Sequence, residues 1–217
     1  MINKTIYFYL PDEGEEFPTE ISEYWNWISS NNTKKNPYWG RYHWVLQTYL
    51  ALKEEIECQL VHTLPNKGII ITHRDFINSP WANSGEYYVV CLLVDREIFS
   101  AFSDIHIVHN PKQNFPLLKT QYISPLPQAS QIPRRNQLGE RFKVVGYYGY
   151  EENLDESFKT EEFKSQLLKL GLELRIVPPN LWNDFSDIDV ILAIRTLGSN
   201  IEYKNKPALK LINAWLA

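Results

Sequence analysis

The chain has 217 residues, 44% of them hydrophobic and 14% aromatic, and carries 22 basic against 26 acidic residues for a formal charge of −4. That is enough apolar material for one large or two small globular domains, and the acidic balance, with no basic run longer than Lys34-Lys35 and Arg134-Arg135, speaks against nucleic-acid binding. Cys58 and Cys91 lie in apolar segments without CxxC or Cys/His spacing, so they read as buried reduced thiols and not as a disulfide or a zinc site.

The opening MINKTIYFYL holds one lysine and a short apolar stretch ending at Pro11, too short for a signal-peptide core or a membrane span, and the expected compartment is the cytoplasm. Short apolar runs rich in Ile, Val and Tyr at Thr5–Leu10, Gln59–His62, Gly68–Thr72, Tyr87–Val94 and Ile105–His109 read as strands. They are near-continuous where a half-exposed strand would alternate, which favours a parallel sheet covered on both faces. A long helix is expected over Trp39–Glu57, a shorter one between Thr19 and Ser29, and one or two turns at Glu97–Phe102. From Pro111 to Pro133 five prolines and little periodicity read as an extended linker, placing a domain boundary there and dividing the chain into 1–133 and 141–217.

The pattern then restarts with a strand at Lys143–Tyr148, a helix at Thr160–Leu170 closed by Gly171, and strands at Glu173–Val177 and Asp189–Ile194. A last helix is expected behind Pro207, whose fixed backbone angle and missing N–H suit a first helical position. Leu209, Leu211, Ile212, Trp215 and Leu216 make it apolar on most sides, with Lys210 and Asn213 as a narrow polar strip. The fold class is α/β, with two Rossmann-like units of which the second has only about three strands.

In open α/β sheets, ligands bind beyond the carboxyl ends of the strands, so the residues following each strand are the ones to inspect. GIIIT runs into His73-Arg74-Asp75, VVCLLV into Asp95-Arg96, DIHIV into His109-Asn110-Pro111, and ILAI into Arg195-Thr196. His73-Arg74-Asp75 spells the HRD of a kinase catalytic loop, but Pro80 stands where the required Asn would be, and no glycine-rich loop or VAIK lysine exists. A G-x-S-x-G elbow, a GxxxxGK[ST] loop and a GxGxxG turn are all missing. What remains is GYYG, Gly146 to Gly149, which allows close backbone approach by a phosphate or sugar and equally suits any tight turn. Lys206 and Lys210 flank the start of the last helix as a diphosphate seat would require, or else form the solvated edge of a buried helix.

These segments, in order GIIITHRDF, DIHIVHNPKQ, FKVVGYYGYEENL, DIDVILAIR and NKPALKLINAWLA, resemble glycosyltransferases of the GT-B fold, and most closely a largely cyanobacterial group of GT-B-like proteins. The resemblance spans nearly the whole chain, though its motifs are specific to a family and not to a donor or acceptor. It implies a nucleotide-sugar lying against the C-terminal domain and an acceptor against the N-terminal one. It places Gly149 at the donor phosphates, Lys206 and Lys210 at the donor-side helix, and Arg195 beside them, while Gly146 stands as a donor contact through the GYYG turn itself. Many related enzymes hold a ribose-gripping glutamate where this chain has Asn213, which can still donate and accept hydrogen bonds. Relatives also continue beyond AWLA, so the chain is expected to stop within its donor domain, either as a fragment or as a natural truncation.

The implied activity is metal-free transfer of a sugar from a nucleoside diphosphate to a hydroxyl acceptor, with no cofactor beyond the donor itself. The candidate bases, in order, are Asp75, His73 and His109, with Arg74 as a substrate contact. The alternative is a binding remnant without turnover. In either case the apolar last helix is expected to leave a patch open to self-association or to a partner.

Overall fold

The computed structural model describes residues 5–11, 16–31, 39–78, 86–113, 115–140, 142–194 and 203–217. The chain forms two compact units: Met1–Ile28, Thr33–Leu126 and Tyr203–Ala208 make the first, and Ser29–Asn32, Pro127–Glu202 and Leu209–Ala217 the second.

In the first unit the β-branched and aromatic runs form β1 (Ile6–Tyr9), β2 (Cys58–Val61), β3 (Gly68–His73), β4 (Tyr87–Val94) and β5 (Ile105–Val108), joined by a short β6 (Thr120–Tyr122). All pairs are parallel, in the order β2-β1-β3-β4-β5-β6. Helices α1 (Tyr24–Asn31) and α2 (Trp39–Leu52) fall between β1 and β2. The order reverses at β1/β3, the kind of switch point beside which open α/β sheets hold ligands. One face carries Phe8, whose ring lies 5.8 Å from Tyr49 of α2, under the buried Tyr42, Val45, Leu46 and Leu50. The other packs Ile70, Val89, Cys91, Leu93 and Val108 against Tyr7, Tyr9, Phe99 and Phe102. Cover on both sides explains why these strands read as continuous apolar runs.

Strand β4 carries a bulge: Leu92 pairs with Ile107 but Val94 with Val108, so one extra residue lies on β4. Val94 itself has φ 55, a conformation that a β-branched residue adopts only when its surroundings impose it.

The second unit holds a parallel sheet in the order β8-β7-β9, from β7 (Val144–Tyr148), β8 (Glu173–Val177) and the two-residue β9 (Val190–Ile191). Helix α3 (Glu161–Lys169) has every local signal its sequence announces. Thr160 caps it by accepting from the Phe163 N–H, acidic residues open it, Lys169 lies in its last turn, and Gly171 at φ 74 closes it. The core is small: Tyr148, Val177, Phe185 and Ile188, with the Tyr148 and Phe185 rings stacked at 4.4 Å. Asp189, 5% exposed at its side chain, clasps the unit by accepting from Arg134 at 2.6 and 2.9 Å and from the N–H groups of Lys143 and Val144.

Five local expectations are corrected. The segment 111–133 is not a plain linker: Thr120–Tyr122 adds an edge strand to β5, and Ile132 bridges to Asp184 inside the second unit. Helix α2 ends at Leu52, and Glu97–Phe102 forms bends and turns without a helix. Helix α4 (Leu209–Leu216) starts two residues after Pro207. It is also inverted relative to its expected polar strip, because Asn213 is 6% exposed while Trp215 is 75% exposed. The Asn213 amide accounts for this, accepting the Gln128 N–H at 3.0 Å and so fixing that face inward. Among the described residues no helix is long and apolar enough to cross a membrane.

Candidate functional site

Parallel pairing delivers the carboxyl ends of β3, β4 and β5 to one sheet edge, so His73-Arg74-Asp75, Asp95-Arg96 and His109-Asn110 belong to a single rim of the first unit. Its centre is Asp75. Arg96 grips both carboxylate oxygens, Nε to Oδ1 at 2.8 Å and Nη2 to Oδ2 at 2.6 Å, and Arg41 from the first turn of α2 adds Nε at 3.0 Å. The Arg96 hydrogen bonds hold the Asp75 carboxyl well below the usual carboxylate range, outweighing its burial. A carboxylate so saturated is a poor proton acceptor and a good anchor.

His73 is 2% exposed and its Nδ1 accepts the Asp75 N–H at 3.1 Å, which puts the ring proton on Nε2. Burial pulls its pKa down to about 4, with Asp75 opposing and Arg96 and Arg41 assisting, so it is neutral at pH 7. His109 is arranged the other way round. Its Nδ1–H donates to the Ile123 carbonyl at 2.9 Å, its ring stacks on Trp44 at 4.2 Å, and its Nε2 lone pair is buried without a hydrogen-bond partner. Burial lowers its pKa, and the hydrogen bond to Ile123 offsets part of that. Nε2 of His43, beside Trp44, is likewise buried without a partner. Arg74 is committed to structure, donating to the carbonyls of Ile98 and Ile77.

The returning segment 203–208 docks on this rim. Lys206 Nζ meets Asp95 Oδ2 at 2.5 Å, Asn205 donates to the Asp95 carbonyl, and Asn110 donates to the carbonyls of Tyr203 and Lys206. Burial raises the Asp95 pKa, but Lys206 and Arg96 outweigh it and leave it lowered. Lys206 is therefore the counter-ion of a first-unit carboxylate and not the twin of Lys210 that their spacing suggests.

In the second unit, Gly146 lies inside β7 and packs so tightly that a Cβ there would come 2.7 Å from Ile188. Gly149 follows the carboxyl end of β7, where a Cβ would fall 2.9 Å from both Lys210 Nζ and the Tyr147 hydroxyl. The Lys210 ammonium stands over the Tyr147 ring at 4.0 Å. Gly149 and Lys210, 61 positions apart in sequence, thus converge, with Tyr147 setting the ammonium by a cation–π contact. Asn213 is turned into the unit against Gln128, and Arg195 lies outside the described residues.

Sequence reading overlooked Arg41 and Tyr147. Arg41 did leave a signal, since a basic residue in the first turn opposes the helix dipole and calls for an anion beside it. Tyr147 lies within the GYYG segment, but nothing in the sequence ties its ring to Lys210. Among the described residues no three His, Cys, Asp or Glu side chains gather as a metal site would need. No family model, no curated protein and no solved structure matches the chain.

Proposed function

We propose that the chain is a glycosyltransferase of GT-B type, or the larger part of one, moving a sugar from a nucleoside diphosphate to a hydroxyl acceptor without a metal. The observation that carries this reading is the meeting of Gly149 and Lys210 at the carboxyl end of β7. A turn free of a Cβ, an ammonium held in place by Tyr147 and the first N–H groups of α4 are the groups a diphosphate requires. The two parallel sheets, each with its strand ends on one edge, are consistent with the Rossmann-like halves of such an enzyme.

In this reading the acceptor hydroxyl attacks the anomeric carbon, the bond from that carbon to the diphosphate breaks, and Lys210 balances the charge left on the phosphate. The acceptor proton passes to a general base. Of the three candidates the geometry favours His109, whose Nε2 carries a lone pair while its Nδ1 proton is pinned by Ile123. His73 Nδ1 is occupied by the Asp75 N–H, and Asp75 is neutralised by Arg96 and Arg41. One observation favours the second reading, a binding module without turnover: the His109 Nε2 atom is buried, and Asp75 and Asp95 are both tied in ion pairs.

Calorimetry with UDP, GDP and ADP tests the donor seat. Binding of one of them should weaken about tenfold or more in Lys210→Ala, the loss of one charge-assisted contact. Lys206→Ala should bind as the parent does, because that lysine serves Asp95. Equal binding by parent and Lys210→Ala, or none by the parent, would remove the seat. Release of nucleoside diphosphate from a bound nucleotide-sugar then separates the enzyme from the binding module.

A further inference from the structure

Segment 203–208 belongs to the first unit although it comes from the far end of the chain, and it rests on the residues that end β4 and β5, where open α/β sheets hold their ligands. It is docked as a strap by a small polar set. Asp95 receives Lys206 Nζ on its carboxylate at 2.5 Å and the Asn205 amide on its carbonyl at 2.7 Å, while Asn110 Nδ2 donates to the carbonyls of Tyr203 and Lys206, each at 3.0 Å. None of the six strap residues is buried. The side chains of Lys206 and Asp95 are 31% and 30% exposed, and an ion pair in that setting adds little to stability.

The surface under the strap is more firmly built than its cover. Gln113, 5% exposed, ties the two strand ends together, its backbone N–H donating to the Asn110 carbonyl at 3.0 Å and its Nε2 to the Arg96 carbonyl at 2.8 Å. Its Oε1 is a buried acceptor without a hydrogen-bond partner, an arrangement that calls for a further donor. The Asn110 side chain is fixed in turn by accepting the Lys112 N–H at 3.0 Å. Val94, immediately before Asp95, is held at φ 55 while only 3% exposed, and backbone strain of this kind gathers where ligands are clamped.

We propose that the strap occupies the place of a neutral, hydroxyl-rich ligand, a sugar ring, which binds Asp95 and Asn110 when the strap lifts. Asp95 offers a carboxylate and a carbonyl as acceptors and Asn110 an amide donor, and adjacent ring hydroxyls, which both donate and accept, match that set. Arg96 Nη1 lies 3.3 Å from Asp95 Oδ1, so the carboxylate keeps a counter-ion after Lys206 leaves and the ligand needs no charge. Strap and sugar then compete, and the apparent affinity for the sugar falls with the fraction of molecules whose strap is down. The proposal concerns the first unit alone and does not depend on the nucleotide seat of the second.

The test combines ligand-observed NMR titration of the full chain with methyl α-glucoside, maltose and sucrose, and hydrogen exchange over 203–208. At least one of these sugars should bind the parent weakly and speed exchange in the strap. The double variant Asn205→Ala, Lys206→Ala should leave the strap open more often and bind that sugar about threefold or more tightly. Asn110→Ala should free the strap as well but lose the sugar, and general loosening cannot produce these opposite outcomes. Both variants should keep the parent circular dichroism spectrum, since none of the three residues is buried. Absence of sugar binding in the double variant, equal binding by parent and double variant, or undiminished binding by Asn110→Ala overturns the proposal. So does displacement of the strap by N-acetyl-lysine amide and by none of the sugars, which would assign the surface to cations.

Discussion

Both units are built on parallel strands, but the second buries chiefly its central strand β7 and leaves more apolar surface open around it. Phe8, Leu10, Ile70 and Leu93 are fully buried between α2 on one side and Phe99 and Phe102 on the other. In the second unit Leu168, Leu170, Trp215 and Leu216 are between 58% and 75% exposed, and β9 has two residues. The first therefore rests on broad apolar burial, while the second adds to a smaller apolar core the ionic clasp around Asp189.

The sharpest way to break this comparison is to remove a carboxylate from each. Asp189→Ala should destabilise the second unit by about 2–3 kcal/mol, since it removes the nearly buried acceptor shared by Arg134 and the Lys143 and Val144 N–H groups. Asp75→Ala should cost the first unit only about 1–2 kcal/mol, because its carboxylate is already 20% exposed and Arg96 42% exposed. Denaturant titration followed by hydrogen exchange resolves the two, and equal losses would refute the division. At neutral pH the same exchange should show the second unit opening more readily than the first.

Acid should reverse that order. All five histidines of the chain, at positions 43, 62, 73, 106 and 109, belong to the first unit. His73 has a folded pKa of about 4 against an ordinary value of about 6.5, so the unfolded chain takes up its proton first as pH falls. The stabilisation is complete above about pH 6.5 and is lost on the way down to about 4, with His109 adding in the same direction. Asp75 and Asp95, both held low, keep their contributions until the pH falls below the ordinary carboxylate range. Exchange at about pH 4.5 should thus show the first unit weakened by a few kcal/mol while the histidine-free second unit holds. Parallel loss in both would mean that the histidines are not the cause.

The smallest effect expected is at α4. Trp215→Ser should change stability by no more than about 0.5 kcal/mol, as for other exposed positions, while reducing any concentration-dependent association seen by light scattering. A larger loss of stability would mean that Trp215 is packed and the second unit better covered than described.

What could be read from the sequence follows the same division of forces. The five long strands of the first sheet announce themselves because burial on both faces demands unbroken apolar runs, and α3 because capping is local chemistry. Thr120–Tyr122 does not, since a three-residue polar edge strand exists only by pairing with β5. The rim residues were legible through their place after strands, but their partners were not: Asp75 meets Arg41 across 34 positions and Asp95 meets Lys206 across 111. Lys206 and Lys210 look like a pair because they are one turn apart in sequence, yet they belong to different units. The outward apolar face of α4 was expected, but its inward Asn213 was not, because the acceptor role of its amide depends on Gln128, 85 positions away.

The extra residue on β4 makes the rim a matter of parity. Side chains alternate along a strand, so one residue more or less before Asp95 exchanges the two faces for everything that follows. With the bulge, Leu93 packs on the Val108 side, and Asp95 and Arg96 emerge where they reach Lys206 and Asp75. Deleting one residue between Leu92 and Val94 would leave composition, charge and strand propensity almost unchanged while pointing those two groups the wrong way. Point substitutions at this spot should therefore be absorbed far more readily than any change in its length.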